Sequence, residues 1–100
     1  MLPAETRVDI LVTHGPPAGT ADVTSGRHVG DRKLLDAVQA LEEPPALWVV
    51  GHIHGSYGVH TLRHRRSGRD IVVANVATND LRYGQPTVPL VFDVALDAAA

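Results

Sequence analysis

Two short β-branched runs bracket one amphipathic segment, and that order leaves the chain few folds to choose from. Val8 to Thr13 (VDILVT) and Ala46 to Val50 (ALWVV) have the composition of buried strands, and each runs into a histidine beside a glycine, His14-Gly15 and Gly51-His52. A loop rich in Pro, Gly, Thr and Ser extends from His14 to about Gly30. Asp31 to Glu43 (DRKLLDAVQALEE) then places Leu34, Leu35, Val38 and Leu41 at helical spacing, with Asp31 at the N-terminal end and Pro44-Pro45 as the stop. Strand, loop, helix and strand predict a βαβ unit of α/β class with parallel strands. Gly58 to His64 and Asp70 to Val76, joined by Arg66-Ser67-Gly68-Arg69, predict a hairpin, and Leu90 to Val94 a last strand. The expected architecture is a mixed sheet with one main helix, and a frayed tail at 96–100.

With 100 residues the chain suffices for one domain, and the six histidines gain weight because there are no cysteines. Disulfides, thiolate nucleophiles and Cys-based zinc sites are excluded, which leaves histidine and carboxylate as metal ligands. Nine Lys and Arg against 11 Asp and Glu give a formal charge of -2, which argues against wrapping nucleic acid or an anionic membrane. The N-terminal residues lack a basic segment followed by an apolar one, and no apolar run reaches the ~20 residues of a membrane span. A cytoplasmic location with no membrane partner is the expectation.

Ligands of open α/β sheets gather beyond the carboxyl ends of strands, where His14 and His52 are expected. In an extended segment His54, two residues past His52, would leave the same face while Ile53 points away. Three imidazoles from neighbouring strand ends could then meet on one ion, with Gly15, Gly51 and Gly55 permitting tight turns. A His-x-His on an exposed strand with no ligand is the alternative, and spacing does not decide between them.

The series DILVTHGPP (from Asp9), VGDRKLLDAV, LWVVGHIHGSYGV, VVANVATND and PLVFDV resembles the C-terminal half of a calcineurin-like metallophosphoesterase, in particular the small metallophosphoesterase-domain-containing branch. The resemblance runs from about Asp9 to Val94 and makes residues 1–100 a partial domain of an αββα sandwich. It implies a hydrolase acting on phosphomonoesters or phosphodiesters, cyclic nucleotides among them. His14 and His52 would be ligands of one metal and His54 of its neighbour. The intact family uses two divalent ions (manganese, iron or zinc), which lower the pKa of a bridging water and neutralise phosphoryl charge.

Three earlier motifs of that family are not in this sequence: the Asp-x-His, the Gly-Asp-x-x-Asp and the Gly-Asn-His-Asp/Glu. Gly30-Asp31-Arg32-Lys33-Leu34 starts like the second but has Leu34 in place of its last Asp, and Asn79-Asp80 has no adjacent histidine. The resemblance therefore implies no catalytic residue here, because the histidine that assists the leaving group is missing, and one metal ion at most. Activity of the isolated chain is left open: either a second polypeptide or self-association completes the fold, or the chain is an inactive fragment that binds a metal ion or a partner.

Tyr57, which continues the GHIH loop, and His28, in the loop before the helix, are the candidate substrate contacts. Arg63, Arg65, Arg66 and Arg69 concentrate charge in one hairpin, where a solvated turn is favoured over a nucleic-acid contact because no aromatic residue is interleaved. Trp48 is read as core, Asn75 as structural, and His60 and His64 receive no role.

Overall fold

The computed structural model describes residues 3–77 and 94. The pair Asn79-Asp80, the tail at 96–100 and all of the expected last strand except Val94 lie outside the described residues. β1 (Ile10–Val12) leads into a loop carrying a small ribbon, β2 (Val23–Thr24) and β3 (Arg27–His28), and then into α1 (Arg32–Gln39). β4 (Leu47–Val50) follows, then a single 3-10 turn at His54–Ser56, β5 (Gly58–Arg63) and β6 (Asp70–Asn75).

The sheet order is β1-β4-β6-β5, with β1, β4 and β6 parallel and β5 antiparallel to β6. The architecture is thus an α/β mixed sheet with one main helix, compatible with part of a metallophosphoesterase fold. The βαβ unit and the hairpin both form. Parallel β1 and β4 end side by side, which brings the loops after them together.

Alternation along the strands sets the core. Trp48, Val50, Ile71 and Val73 pack with Val38 and Leu41, and Leu11, Leu34 and Leu62 close the margin. On the opposite sheet face Leu47 and Ala74 are buried, whereas Val12 at one edge is 69% exposed and Val59 at the other is 55% exposed.

α1 is shorter than its apolar spacing suggests. Asp31 caps it by accepting the Leu34 N–H at 3.1 Å, and Ala40 already closes it. Beyond that point Leu41 is drawn into the core and the Glu42 N–H bonds the Ala4 carbonyl, so tertiary contacts end the helix before the prolines do. Asp31 thus serves as the N-terminal cap of α1.

The arginine hairpin is spent on the end of α1. Arg66 bonds the Ala40 carbonyl at 2.8 Å and lies 4.0 Å from Glu42; Arg69 pairs with Glu43, and Arg63 with Asp70. Exposed pairs of this kind contribute about 0–1 kcal/mol each. Beneath them His64 is fully buried: its Nε2 faces the Val38 carbonyl at 3.2 Å and its Nδ1 meets Ser67 Oγ at 2.7 Å. A carbonyl only accepts, so the proton sits on Nε2, and His64 ties the hairpin to the helix.

Candidate metal centre

The ends of β1 and β4 are stitched by backbone bonds, Thr13 N–H to Val49 O and Gly51 N–H to His14 O, both 3.0 Å. Trp48 adds to this. Its indole N–H donates to Thr13 Oγ1 at 2.9 Å, and that hydroxyl donates to Gly15 O at 2.8 Å, so the bonds fasten both neighbours of His14. The residue read as plain core is also an anchor of the first histidine loop.

His14 and His52 consequently meet. Their ring centroids are 4.7 Å apart, the planes tilted by 37°, and both residues are solvent-exposed. The segment from Gly51 to His54 is not extended, in contrast to the expectation from its sequence. His52 has φ of 67°, and the Ile53 N–H donates back to Gly51 O at 2.7 Å, enclosing His52 in a tight turn of a kind non-glycine residues avoid. His54 then opens the 3-10 turn and is half-buried. Among the described residues no group of three His, Asp or Glu side chains is placed to hold one ion, so the three histidines do not converge as extended geometry would have had them.

The glycines around the loop act differently from the expectation as well. Gly15 and Gly51 have ordinary φ and room for a Cβ; the strained φ falls on His52 itself. Gly55 does matter for space, because a Cβ there would stand 3.2 Å from Val23 O.

That contact is the seam between the GHIH loop and the β2–β3 ribbon. Ser56 Oγ accepts the Val23 N–H and donates to Val23 O, each at 2.7 Å, while His60 Nε2 donates to Ser56 O at 2.9 Å. Buried Asn75 donates through Nδ2 to Ile53 O at 2.8 Å and to Ala21 O at 3.2 Å. One amide thus holds the residue between His52 and His54 and the residue before Asp22. Tyr57 ends the 3-10 turn with its N–H on His54 O at 3.4 Å.

His28, on β3, is paired with an aspartate that the sequence did not single out. Asp22 is fully buried; its Oδ1 meets His28 Nδ1 at 2.7 Å, and its Oδ2 accepts from Gly19 N–H at 2.8 Å and Gly30 N–H at 2.9 Å. Burial pushes the Asp22 carboxyl up, but the bonds from His28, Gly19 and Gly30 outweigh it and hold the group below its ordinary value. The ribbon was readable from Ser25-Gly26, whose φ of 50° and 75° suit a two-residue hairpin turn. Nothing local marked Asp22 as its partner, since the bond needs the folded loop.

Tested against a divalent ion, the two imidazoles supply half of a binding shell. Neutral imidazole suits zinc or iron, whereas manganese calls for carboxylate or water oxygens beside it, and the exposed rings admit water. A complete centre needs further donors.

An α/β chain with histidine loops gathered at the ends of adjacent parallel strands belongs to the class whose ligand chemistry is assembled from loops. The comparisons with known proteins narrow that class. No protein-family model matches the chain. It is 50% identical over 54 residues (52% of this chain, 16% of the relative) to human metallophosphoesterase domain-containing protein 1. It is 30% identical over 95 residues (90% of this chain, 31% of the relative) to a UPF0046 protein of Caenorhabditis elegans. A 57-residue stretch (57% of this chain) is 47% identical to an Emericella nidulans protein named "Probable rhamnogalacturonate lyase C", but covers 5% of it, too small a share for that name to describe this segment. The chain spans less than a third of each of these relatives. By these similarities it is a relative of the calcineurin-like metallophosphoesterases.

Proposed function

We propose that the chain supplies the histidine-bearing part of a metal-dependent phosphoesterase site. The observation that supports this most is the His14–His52 pair at the ends of adjacent parallel strands, with His52 in a strained turn. His14 and His52 would hold one divalent ion (manganese, iron or zinc), and His54 would face a second in a completed site. When bound, the metal supplies an activated water and neutralises charge on a phosphoryl oxygen. The chain's own contribution is positional: Trp48 and Thr13 set the His14 loop, and Asn75 sets the His52 loop. The substrates are phosphomonoesters or phosphodiesters, with cyclic nucleotides in the class. Tyr57 is retained as a substrate contact.

Mn²⁺-dependent hydrolysis of a chromogenic phosphodiester by the full chain, beside His52→Ala, tests the reading. Activity lost in the variant is the expected result; Mn²⁺ and Zn²⁺ affinities unchanged in His52→Ala would remove it.

A second reading is a chain that binds a metal ion and a partner without turnover. It is favoured by a ligand set that is incomplete among the described residues and by the apolar side chains exposed at the two sheet edges, Val12 and Val59. A second polypeptide or another copy would cover such an edge and bring the remaining ligands. Hydrolysis appearing only above the concentration at which the chain self-associates would join the two readings.

A further inference from the structure

Three of the four histidines off the metal pair have their ring or position accounted for, or lie in the GHIH loop itself: His60 braces Ser56, His64 is buried between Val38 and Ser67, and His54 starts the 3-10 turn, which leaves His28. Its side chain is 63% exposed although its Nδ1 is bonded to a fully buried carboxylate. The Gly19 and Gly30 amides satisfy Asp22 Oδ2 and close the loop, and the ring satisfies the buried Oδ1, yet most of the His28 side chain stays in solvent.

The Asp22 bond does something else to an exposed imidazole: it fixes the ring plane and holds a proton on Nδ1, which directs Nε2 outward. Carboxylate-oriented histidines of this kind present a single working nitrogen. The ribbon that carries His28 is also fixed relative to the candidate centre. Val23, the register partner of His28, is bonded twice to Ser56, and Ala21 shares the Asn75 amide with Ile53. The β2–β3 ribbon is therefore tied to the GHIH loop by hydrogen bonds on both sides of Asp22.

We propose that His28, oriented by Asp22, is a substrate-binding residue whose Nε2–H donates to a phosphate oxygen of the ester engaged by the His14–His52 centre, with Asp22 as its positioning residue. The inference rests on the metal-site reading above. It adds an anion contact that the strand-end histidines do not provide, from a loop that none of the missing motifs occupies. The Nδ1 side of the ring stays on Asp22 while Nε2 engages the phosphate; no bond to phosphorus is made by His28.

The test is imidazole ¹⁵N NMR of the full chain, loaded with Zn²⁺ and titrated with inorganic phosphate. His14 and His52 signals report the metal, and His28 Nε2 reports the phosphate. The expected result is a saturable His28 shift, with His28→Ala weakening phosphate binding about tenfold, the loss of one charge-assisted hydrogen bond. Gly19 and Gly30 amide signals that stay in place show that the loop has kept its fold. If His28→Ala disturbs them, His28→Gln and the wild-type titration decide. Asp22→Asn is expected to change the tautomer signature of His28 and weaken phosphate binding together. Zn²⁺ that moves His14 and His52 while His28 ignores phosphate overturns this inference alone. Zn²⁺ that leaves His14 and His52 unmoved overturns the metal-site reading and this one with it.

Discussion

Asn75 Nδ2 lies 2.8 Å from the carbonyl of Ile53, so the buried end of β6 holds the residue between the two histidines of the GHIH loop. The same nitrogen reaches Ala21 O, and Oδ1 accepts the Ala77 N–H at 3.1 Å. Asn75→Ala strands these groups, and a loss of about 2–3 kcal/mol is expected in urea unfolding. Amide exchange at Val23 and Ile53 should quicken with it. A loss below about 0.5 kcal/mol would show that Asn75 is not the clamp of the two loops.

His52 occupies a conformation with φ of 67° that suits glycine. His52→Gly should raise thermal stability by about 0.5–1 kcal/mol through relief of strain, while Mn²⁺ or Zn²⁺ binding falls. His52→Ala removes the ring without freeing the backbone, so it should lose metal with no gain in stability. Equal melting of the two variants would refute stored strain at this position.

Asp22 ties the pH dependence of the His14–Gly30 loop to one carboxylate. Its folded-state pKa lies below the ordinary value near 3.8, so its stabilising contribution is in full force above that value and is lost as pH falls through the folded pKa. Acid titration should therefore show the downfield Gly19 and Gly30 amide signals persisting below about pH 4, the usual aspartate range, before they collapse. In Asp22→Asn that acid step should be absent. A step of equal size in the variant would assign it to another carboxylate.

Gly30 packs against the chain after His14 with no room for a side chain: a Cβ would lie 2.1 Å from Pro17 O. The neighbouring bonds, Asp31 N–H to Pro16 O at 3.0 Å and Ala18 N–H to Asp31 O at 3.1 Å, depend on that approach. Gly30→Ala should cost about 3 kcal/mol in chemical denaturation, because backbone must move to admit the methyl group. Gly15→Ala, which meets nothing within 4 Å, is the control and should be near neutral.

The apolar residues exposed at the two sheet edges, Val12 and Val59, supply a test of partner docking. Val12→Lys with Val59→Lys should leave unfolding free energy within about 0.5 kcal/mol, since both positions face solvent in this chain. Sedimentation equilibrium should show wild type associating and the double variant monomeric. Wild type that is monomeric across the same concentrations counts against a second copy as the occupant.

The chain's own pattern determined what can be read locally. β-branched runs, helical spacing in KLLDAVQAL and the turn at Ser67-Gly68 are short-range signals, and they yielded the βαβ unit and the hairpin. Strand ends beside glycine placed His14 and His52 in neighbouring loops, and the resemblance to metallophosphoesterases rests on the same residues. Tertiary structure decided what those loops do. The strain at His52 falls in the turn that joins β4 to the 3-10 turn, and no local residue preference announces it. The Asp22–His28 and Asn75–Ile53 bonds join residues whose pairing depends on the folded paths of the loops, 22 residues apart in the second case. Hydrogen bonds of that range leave no periodicity to find. Sequence alone named the histidines, and the fold determined which of them meet and what holds them in place.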